Sequence, residues 1–132
     1  MVVDTSALIA ILQDEPQRRS FNEAIEAAQT RTISAATLVE ASIVLETRFG
    51  AEAVRDLDLL ISKAQFTIAT VDAAQALLAQ QAYRQFGKGR HPAGLNFGDC
   101  FSYALACALG ESLLFKGADF SQTDVELHPA SV

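Results

Sequence analysis

The feature of this sequence that most restricts its fold is the alternation of two kinds of segment. Short apolar or β-branched stretches alternate with longer stretches in which apolar residues recur every three or four positions. Strands separated by helices pair in parallel, because each crossover returns the chain to the same edge of the sheet. We therefore predict an α/β fold of three layers, α/β/α, with a central and mostly parallel sheet. The predicted strands are Met1–Asp4, Arg31–Ser34, Phe66–Val71, Ser112–Phe115 and Val125–His128.

Helix boundary signals separate these strands. Glycine follows three of the periodic segments, at Gly50, Gly87 and Gly110, and Asp72 stands where an N-cap is expected. The chain has 132 residues, half of them hydrophobic, which is the size of one domain. We expect residues 1–132 to form a single domain. The predicted helices are Thr5–Gln13, Pro16–Ala28, Ala36–Phe49, Ala51–Ala64, Asp72–Phe86 and Gly98–Leu109.

The sequence contains no pattern typical of export or membrane insertion. The start, Met1-Val-Val-Asp4, has no basic segment or long apolar run, and no stretch of about 18 apolar residues follows. We expect a cytoplasmic protein without a membrane partner. The two cysteines and two histidines form neither a CxxC pair nor a Cys/His cluster. Any metal ion must therefore be held by oxygen atoms.

The net charge of −6 disfavours nucleic-acid binding, because proteins that bind phosphates neutralise them with Lys and Arg. The charge is uneven, however. No acidic residue lies between Asp72 and Asp99, and this stretch carries Arg84, Lys88 and Arg90. The segment Gly87–Gly94, here called the basic loop, is a candidate for phosphate contacts. An ordinary solvated connection between helices would have the same composition, so both interpretations stay open.

Four acidic residues are candidates for a metal site. Open parallel sheets bind ligands at the carboxyl edge of their strands. Asp4 ends the first predicted strand, Asp119 follows the strand Ser112–Phe115, and Asp99 opens a helix at the same edge. Glu40 lies in an apolar stretch early in the helix after the second strand. Taken singly, each has a structural alternative as a helix cap, a turn residue or a solvated helix position.

Taken together, the four acids predict a site that binds a divalent metal ion. Clustered carboxylates repel one another unless a cation compensates, and hard oxygen ligands suit Mg²⁺ or Mn²⁺. A divalent ion can activate water, polarise a phosphodiester and screen the charge of its substrate, so a histidine base is not needed. Hydrolysis of a phosphodiester is the reaction that this pattern favours.

Four motifs carry a resemblance to a known family. They are Val3-Asp-Thr-Ser-Ala7, Thr37-Leu-Val-Glu40, Leu95-Asn-Phe-Gly-Asp-Cys100 and the segment Leu114–Asp124. In this order and over the whole length, the chain resembles the PIN-domain ribonuclease family, and more narrowly the VapC-type toxins of type II toxin–antitoxin systems. The resemblance implies an Mg²⁺-dependent endoribonuclease with an RNA substrate, inhibited by a cognate VapB-type antitoxin. It also implies a homodimer that contacts DNA only through the antitoxin.

The resemblance assigns roles residue by residue. It implies that Asp4 and Asp99 ligate the metal directly, that Asp119 completes or supports the site, and that Glu40 acts through water. Lys116 is a candidate phosphate contact or a structural counter-ion. The full set of candidate substrate contacts is Thr5, Ser6, Arg84, Lys88, Arg90 and Lys116.

Two other classes of protein share part of this pattern. A phosphoacceptor receiver domain has a similar length and an acidic pocket, but its acceptor Asp ends a mid-chain strand, whereas Asp56 and Asp58 lie in a predicted helix. A binding module of the same fold without turnover is disfavoured by the presence of all four acids. The apolar residues Leu57, Leu60 and Ile61 fit a dimer, an antitoxin interface or the core, and the sequence does not separate these.

Overall fold

The computed structural model describes residues 1–131 and contains alternating strands and helices. The strands are β1 (Val2–Val3), β2 (Thr32–Ser34), β3 (Thr67–Ala69) and β4 (Leu113–Leu114). The helices are α1 (Thr5–Leu12), α2 (Arg18–Ala27), α3 (Ala35–Phe49), α4 (Ala51–Lys63), α5 (Ala73–Phe86) and α6 (Phe97–Leu109). A turn of 3-10 helix, Asp119–Gln122, follows β4. The predicted helices and the first four predicted strands are all present, with small differences at their ends.

The four strands form one sheet in the order β3-β2-β1-β4, and every pairing is parallel. Val2 of β1 pairs with Thr32 on one side and with Leu113 on the other. The chain builds the sheet outward from β1 to β3 and then returns to add β4 on the opposite side. The strand order thus reverses at β1 and β4, which is where parallel sheets form a crevice for ligands.

Successive side chains of each strand enter opposite cores, because a strand alternates its faces. Val3 and Leu114 pack with α1 to α4, whereas Val2 and Leu113 pack with α5 and α6. All four of these side chains are fully buried. The sheet is therefore covered by helices on both faces, and the predicted three-layer α/β/α architecture is confirmed.

The prediction of a fifth strand at Val125–His128 is wrong. This segment meets the sheet only through a single bridge between Leu113 and Leu127. Leu113 donates its N–H to Glu126 and accepts one from His128, both at 2.9 Å. The next backbone N–H groups of the ladder bind side chains instead: Phe115 donates to the Ser131 hydroxyl and Ala130 donates to His128 Nδ1, both at 3.1 Å. Pairing therefore stops after one residue pair.

The three apolar side chains of α4 that the sequence left without an assigned contact pack against the core. Leu57 is fully buried, and Leu60 and Ile61 are partly buried against the same cluster. Of the three interpretations open for these residues, the structure supports packing within the chain. Within residues 1–131, none of the helices combines the length and apolar character needed to cross a bilayer.

Candidate active site

Asp4 lies directly after β1 and caps α1. One of its carboxylate oxygens accepts hydrogen bonds from the backbone N–H of Ser6 at 3.0 Å and from the Ser6 hydroxyl at 2.7 Å. The other oxygen accepts a hydrogen bond from the hydroxyl of Ser102 on α6, at 2.6 Å. The residue is 3% exposed. Asp4 is thus fixed in orientation by groups from two helices, and it is both a helix cap and a member of the acidic site.

Asp99 is held at the first turn of α6 by a reciprocal capping box. The Asn96 side chain accepts a hydrogen bond from the Asp99 N–H at 2.9 Å, and the Asp99 carboxylate accepts one from the Asn96 N–H at 3.0 Å. The partial positive charge at a helix N-terminus favours an acid here. One Asp99 oxygen is engaged by Asn96, and the second is left for another partner.

The acidic groups influence one another most strongly at Asp99. The pKa of the Asp99 carboxyl is raised to about 7, mainly by burial, next by the charge of Asp4, and to a smaller extent by Asp119 and Glu40. The hydrogen bond from the Asn96 backbone opposes this rise. The structure therefore brings the other three predicted acids within electrostatic reach of Asp99. It also leaves Asp99 poorly compensated in the absence of a cation.

Glu40 reaches the site across the backbone of α6. Its carboxylate accepts a hydrogen bond from the Thr5 hydroxyl at 2.5 Å. Burial raises the pKa of Glu40, the Thr5 hydrogen bond opposes that rise, and the charge of Asp4 adds to it. A Cβ atom added to Gly98 would lie 1.7 Å from the nearer Glu40 oxygen. The glycine beside Asp99 therefore provides the space in which the Glu40 carboxylate sits.

Asp119 is the most exposed of the four acids and begins the helical turn after β4. Within residues 1–131, no three Asp, Glu, His or Cys side chains are placed so that they already enclose an ion. The donor set nevertheless fits Mg²⁺ or Mn²⁺ in its chemistry, because it offers carboxylate oxygens and excess negative charge. Asp4 and Asp99 would hold such an ion, with Glu40 and Asp119 around it.

Sequence reasoning missed several residues that position the acids. Ser102 lies three residues after Asp99, on the same face of an otherwise apolar helix, and this lone polar position was an available signal. Its hydroxyl also lies 3.3 Å from that of Thr37, which extends the network to α3. Asn96 three residues before Asp99 matches a capping box. The role of Gly98 depends on a contact between two helices and has no local signal.

The predicted substrate contacts divide into two groups. Thr5 and Ser6 belong to the carboxylate network, and the Ser6 hydroxyl also accepts a hydrogen bond from the Lys116 backbone N–H at 3.0 Å. The Lys116 ammonium forms an ion pair with Glu15, as expected of a structural counter-ion. The second group is Arg84, Lys88 and Arg90. These three side chains line a groove that begins at the first turn of α6.

Comparison with known families identifies the class of protein. The family model of the PIN domain matches residues 1–126. The chain therefore belongs to the PIN-domain family. Among curated proteins it is 54% identical to Ribonuclease VapC of Mycolicibacterium smegmatis over 125 residues, covering 95% of this chain and 97% of the relative. It is 52% identical to Ribonuclease VapC30 of Mycobacterium tuberculosis over 125 residues, covering 95% of each. Within the PIN domains, the chain thus groups with the VapC ribonucleases, which are RNA-cleaving hydrolases.

Solved structures with low sequence identity share the fold. VapC20 of Mycobacterium tuberculosis, a toxin that cleaves the sarcin-ricin loop, superposes with a TM-score of 0.78 at 19% identity, covering 97% of this chain and 98% of that one. VapBC2 of Rickettsia felis, bound to a DNA fragment from its promoter, gives a TM-score of 0.76 at 14% identity, covering 96% of each chain. The three-layer fold is therefore that of VapC proteins.

Replacing Gly98 by Ala tests the position of Glu40. The added methyl group collides with the Glu40 carboxylate, so we expect RNA cleavage to fall roughly 10- to 100-fold. The unfolding free energy should stay within about 1 kcal/mol, because alanine favours a helix and the displaced atoms end a flexible side chain. In a Glu40→Ala background the same substitution should have little further effect. Equal losses in both backgrounds would show that Gly98 does not act through Glu40.

The raised pKa of Asp99 predicts how the metal-free protein responds to pH. The folded state keeps a proton that the unfolded state loses near the ordinary pKa of 3.8, so the wild type loses stability as pH rises from about 4 to about 7. Asp99→Asn has no such proton. In chelator, the variant should gain stability over the wild type across this range, reaching on the order of 2 kcal/mol at pH 8. Denaturant unfolding at a series of pH values measures the difference, and a difference independent of pH would contradict the assignment.

Proposed function

We propose that this chain is a divalent-metal-dependent endoribonuclease that acts as the toxin of a type II toxin–antitoxin pair. The observation that carries the proposal is the buried Asp99 carboxyl, whose pKa is raised to about 7 among three other acids. Such an arrangement is costly unless a cation binds, and perturbed acids in a crevice are typical of functional sites. The crevice lies where the strand order reverses, and the VapC relatives are named as ribonucleases.

The roles follow from the contacts of each acid. Ser6 and Ser102 orient Asp4, Asn96 orients Asp99, and these two carboxylates would hold Mg²⁺ or Mn²⁺. The ion, when bound, supplies activation of water and screening of the phosphodiester charge. Glu40 and Asp119 complete the negative cluster.

The hydrogen bond from the Thr5 hydroxyl opposes the rise in the Glu40 pKa and so favours the ionised carboxylate, the form that can add to the negative cluster.

The partners are proposed from the same family membership. Structural neighbours include a toxin–antitoxin complex from Klebsiella pneumoniae and the VapBC2 complex on promoter DNA. By analogy, a cognate VapB-type antitoxin inhibits this chain, DNA is contacted only through that antitoxin, and the toxin forms a homodimer in the cytoplasm. RNA is the substrate.

Cleavage of total RNA by antitoxin-free protein tests the proposal. With Mg²⁺ or Mn²⁺ we expect discrete fragments, and with chelator none. Asp99→Asn should lower the rate at least about 100-fold, since it removes a proposed metal ligand. The matched control is Asp58→Asn, which removes an exposed acid of α4 and should cut like the wild type.

Two outcomes would contradict the proposal. Equal cutting by the wild type and Asp99→Asn would assign the activity to another site or to a contaminating nuclease. If correctly folded wild-type protein fails to cut with either metal but binds an antitoxin, the chain is a binding module without turnover.

A further inference from the structure

Two buried hydroxyl groups meet where α3 packs against α6. Thr37 of α3 is 2% exposed, Ser102 of α6 is 0% exposed, and their oxygen atoms lie 3.3 Å apart. Thr37 precedes Glu40 by three residues on α3, and Ser102 follows Asp99 by three residues on α6. Thr37 and Ser102, here called the hydroxyl pair, therefore join the two helices that carry these acids.

The direction of the hydrogen bonds in the hydroxyl pair follows from the number of protons. A serine hydroxyl has one proton to donate, and Ser102 donates it to the Asp4 carboxylate at 2.6 Å. Ser102 can therefore only accept in its contact with Thr37, so Thr37 is the donor. Accepting this hydrogen bond polarises the Ser102 hydroxyl and strengthens the bond that it donates to Asp4. The hydroxyl pair thus points in one direction, towards the Asp4 carboxylate.

The Thr37 hydroxyl has Ser102 as its only hydrogen-bond partner within residues 1–131. Ser42 on the same helix shows the usual local alternative, because its hydroxyl donates to the Leu38 carbonyl four residues earlier at 2.7 Å. Burying a hydroxyl costs free energy that a valine of the same shape would not cost. The position of this polar group therefore has its physical reason in the contact with Ser102.

The orientation of Asp4 depends on Ser102 from one side only. One Asp4 oxygen is held by the backbone and hydroxyl of Ser6, and the other oxygen is held by the Ser102 hydroxyl. Without a donor from Thr37, the Ser102 proton can turn to other acceptors, the carbonyl groups of its own helix included. Thr37 therefore determines which acceptor Ser102 serves.

We propose that Thr37 is a positioning residue, which acts through Ser102 to orient the Asp4 carboxylate for binding of the divalent ion. Thr37 touches neither the ion nor the RNA. Since α3 also carries Glu40, the hydroxyl pair links the position of Glu40 to that of Asp4. This inference rests on the proposed metal-dependent function and adds a residue outside the acidic cluster that sets the strength of ion binding.

Two substitutions separate the hydroxyl of Thr37 from its volume. Thr37→Val keeps the shape and loses the hydroxyl, so the Mn²⁺ affinity of antitoxin-free protein, measured by calorimetric titration, should fall roughly 10-fold. Thr37→Ser keeps the hydroxyl and loses a buried methyl group. It should bind Mn²⁺ like the wild type although its unfolding midpoint falls by about 3 to 5 °C. A purely structural role would make affinity follow stability, and that result would overturn the proposal.

A Ser102→Ala background tests whether Thr37 acts through Ser102. Ser102→Ala should itself weaken Mn²⁺ binding at least about 10-fold, and adding Thr37→Val should then have little further effect. Ser42→Ala is the matched control, because it removes a hydroxyl of α3 that is bonded within its own helix, and it should bind like the wild type. Unchanged Mn²⁺ affinity of Thr37→Val, or equal losses in both backgrounds, would overturn the proposal.

The metal-free protein distinguishes this failure from failure of the proposed function. In chelator, the double-mutant cycle of Thr37→Val and Ser102→Ala should show coupling of at least about 3-fold in the unfolding equilibrium constant. If the wild type binds Mn²⁺ and cuts RNA but the cycle shows no coupling, the function stands and the positioning role falls. If the wild type neither binds Mn²⁺ nor cuts RNA, the proposed function falls together with the role of Thr37 in ion binding. The cycle in chelator then still decides whether Thr37 acts on Ser102.

Discussion

The cost of ionising the buried Asp99 carboxyl, set first by its burial and then by repulsion from the other acids, is the constraint around which the active-site half of the molecule is arranged. Burial and the charges of three other acids all favour the neutral form of this side chain. The surrounding polar groups act to hold the acids despite that cost. Asn96 fixes Asp99, two serines fix Asp4, and Thr5 holds Glu40. A preorganised negative site of this kind lowers stability in the absence of a cation and favours binding of one.

The fold makes this arrangement possible through strand pairing. Asp4 and the segment leading to Asp119 come together because β1 and β4 are neighbours, and the Asp4 N–H donates to the Leu114 carbonyl at 3.0 Å. The side chains of β1 and β4 pack into one core on one face of the sheet and into the other core on the opposite face. A shift in strand register would therefore expose apolar side chains, and this fixes the positions of the acids. Helix α6 contributes Asp99 and Ser102 to the site, and it also forms one wall of the groove lined by Arg84, Lys88 and Arg90.

The sequence was sufficient to predict the layers, the parallel sheet and the neighbourhood of the acids, because these follow from periodicity and from where strands end. It was not sufficient for contacts between distant elements. The role of Gly98 depends on the Glu40 carboxylate, which packs against it from another helix. The role of Ser102 depends on its hydrogen bond to Asp4, which is 98 residues away in the sequence. The segment Val125–His128 has the composition of a strand but pairs at one position, because the side chains of Ser131 and His128 accept the neighbouring backbone N–H groups.

Calorimetric titration of the antitoxin-free protein with Mn²⁺ tests the central claim most directly, because it measures ion binding without any assumption about the RNA. At a pH above the Asp99 pKa of about 7, we predict saturable binding to the wild type and to Asp58→Asn. Binding should be lost or weakened at least about 10-fold in both Asp4→Asn and Asp99→Asn. Equal affinity in all four proteins would contradict the claim that these carboxylates form a metal site.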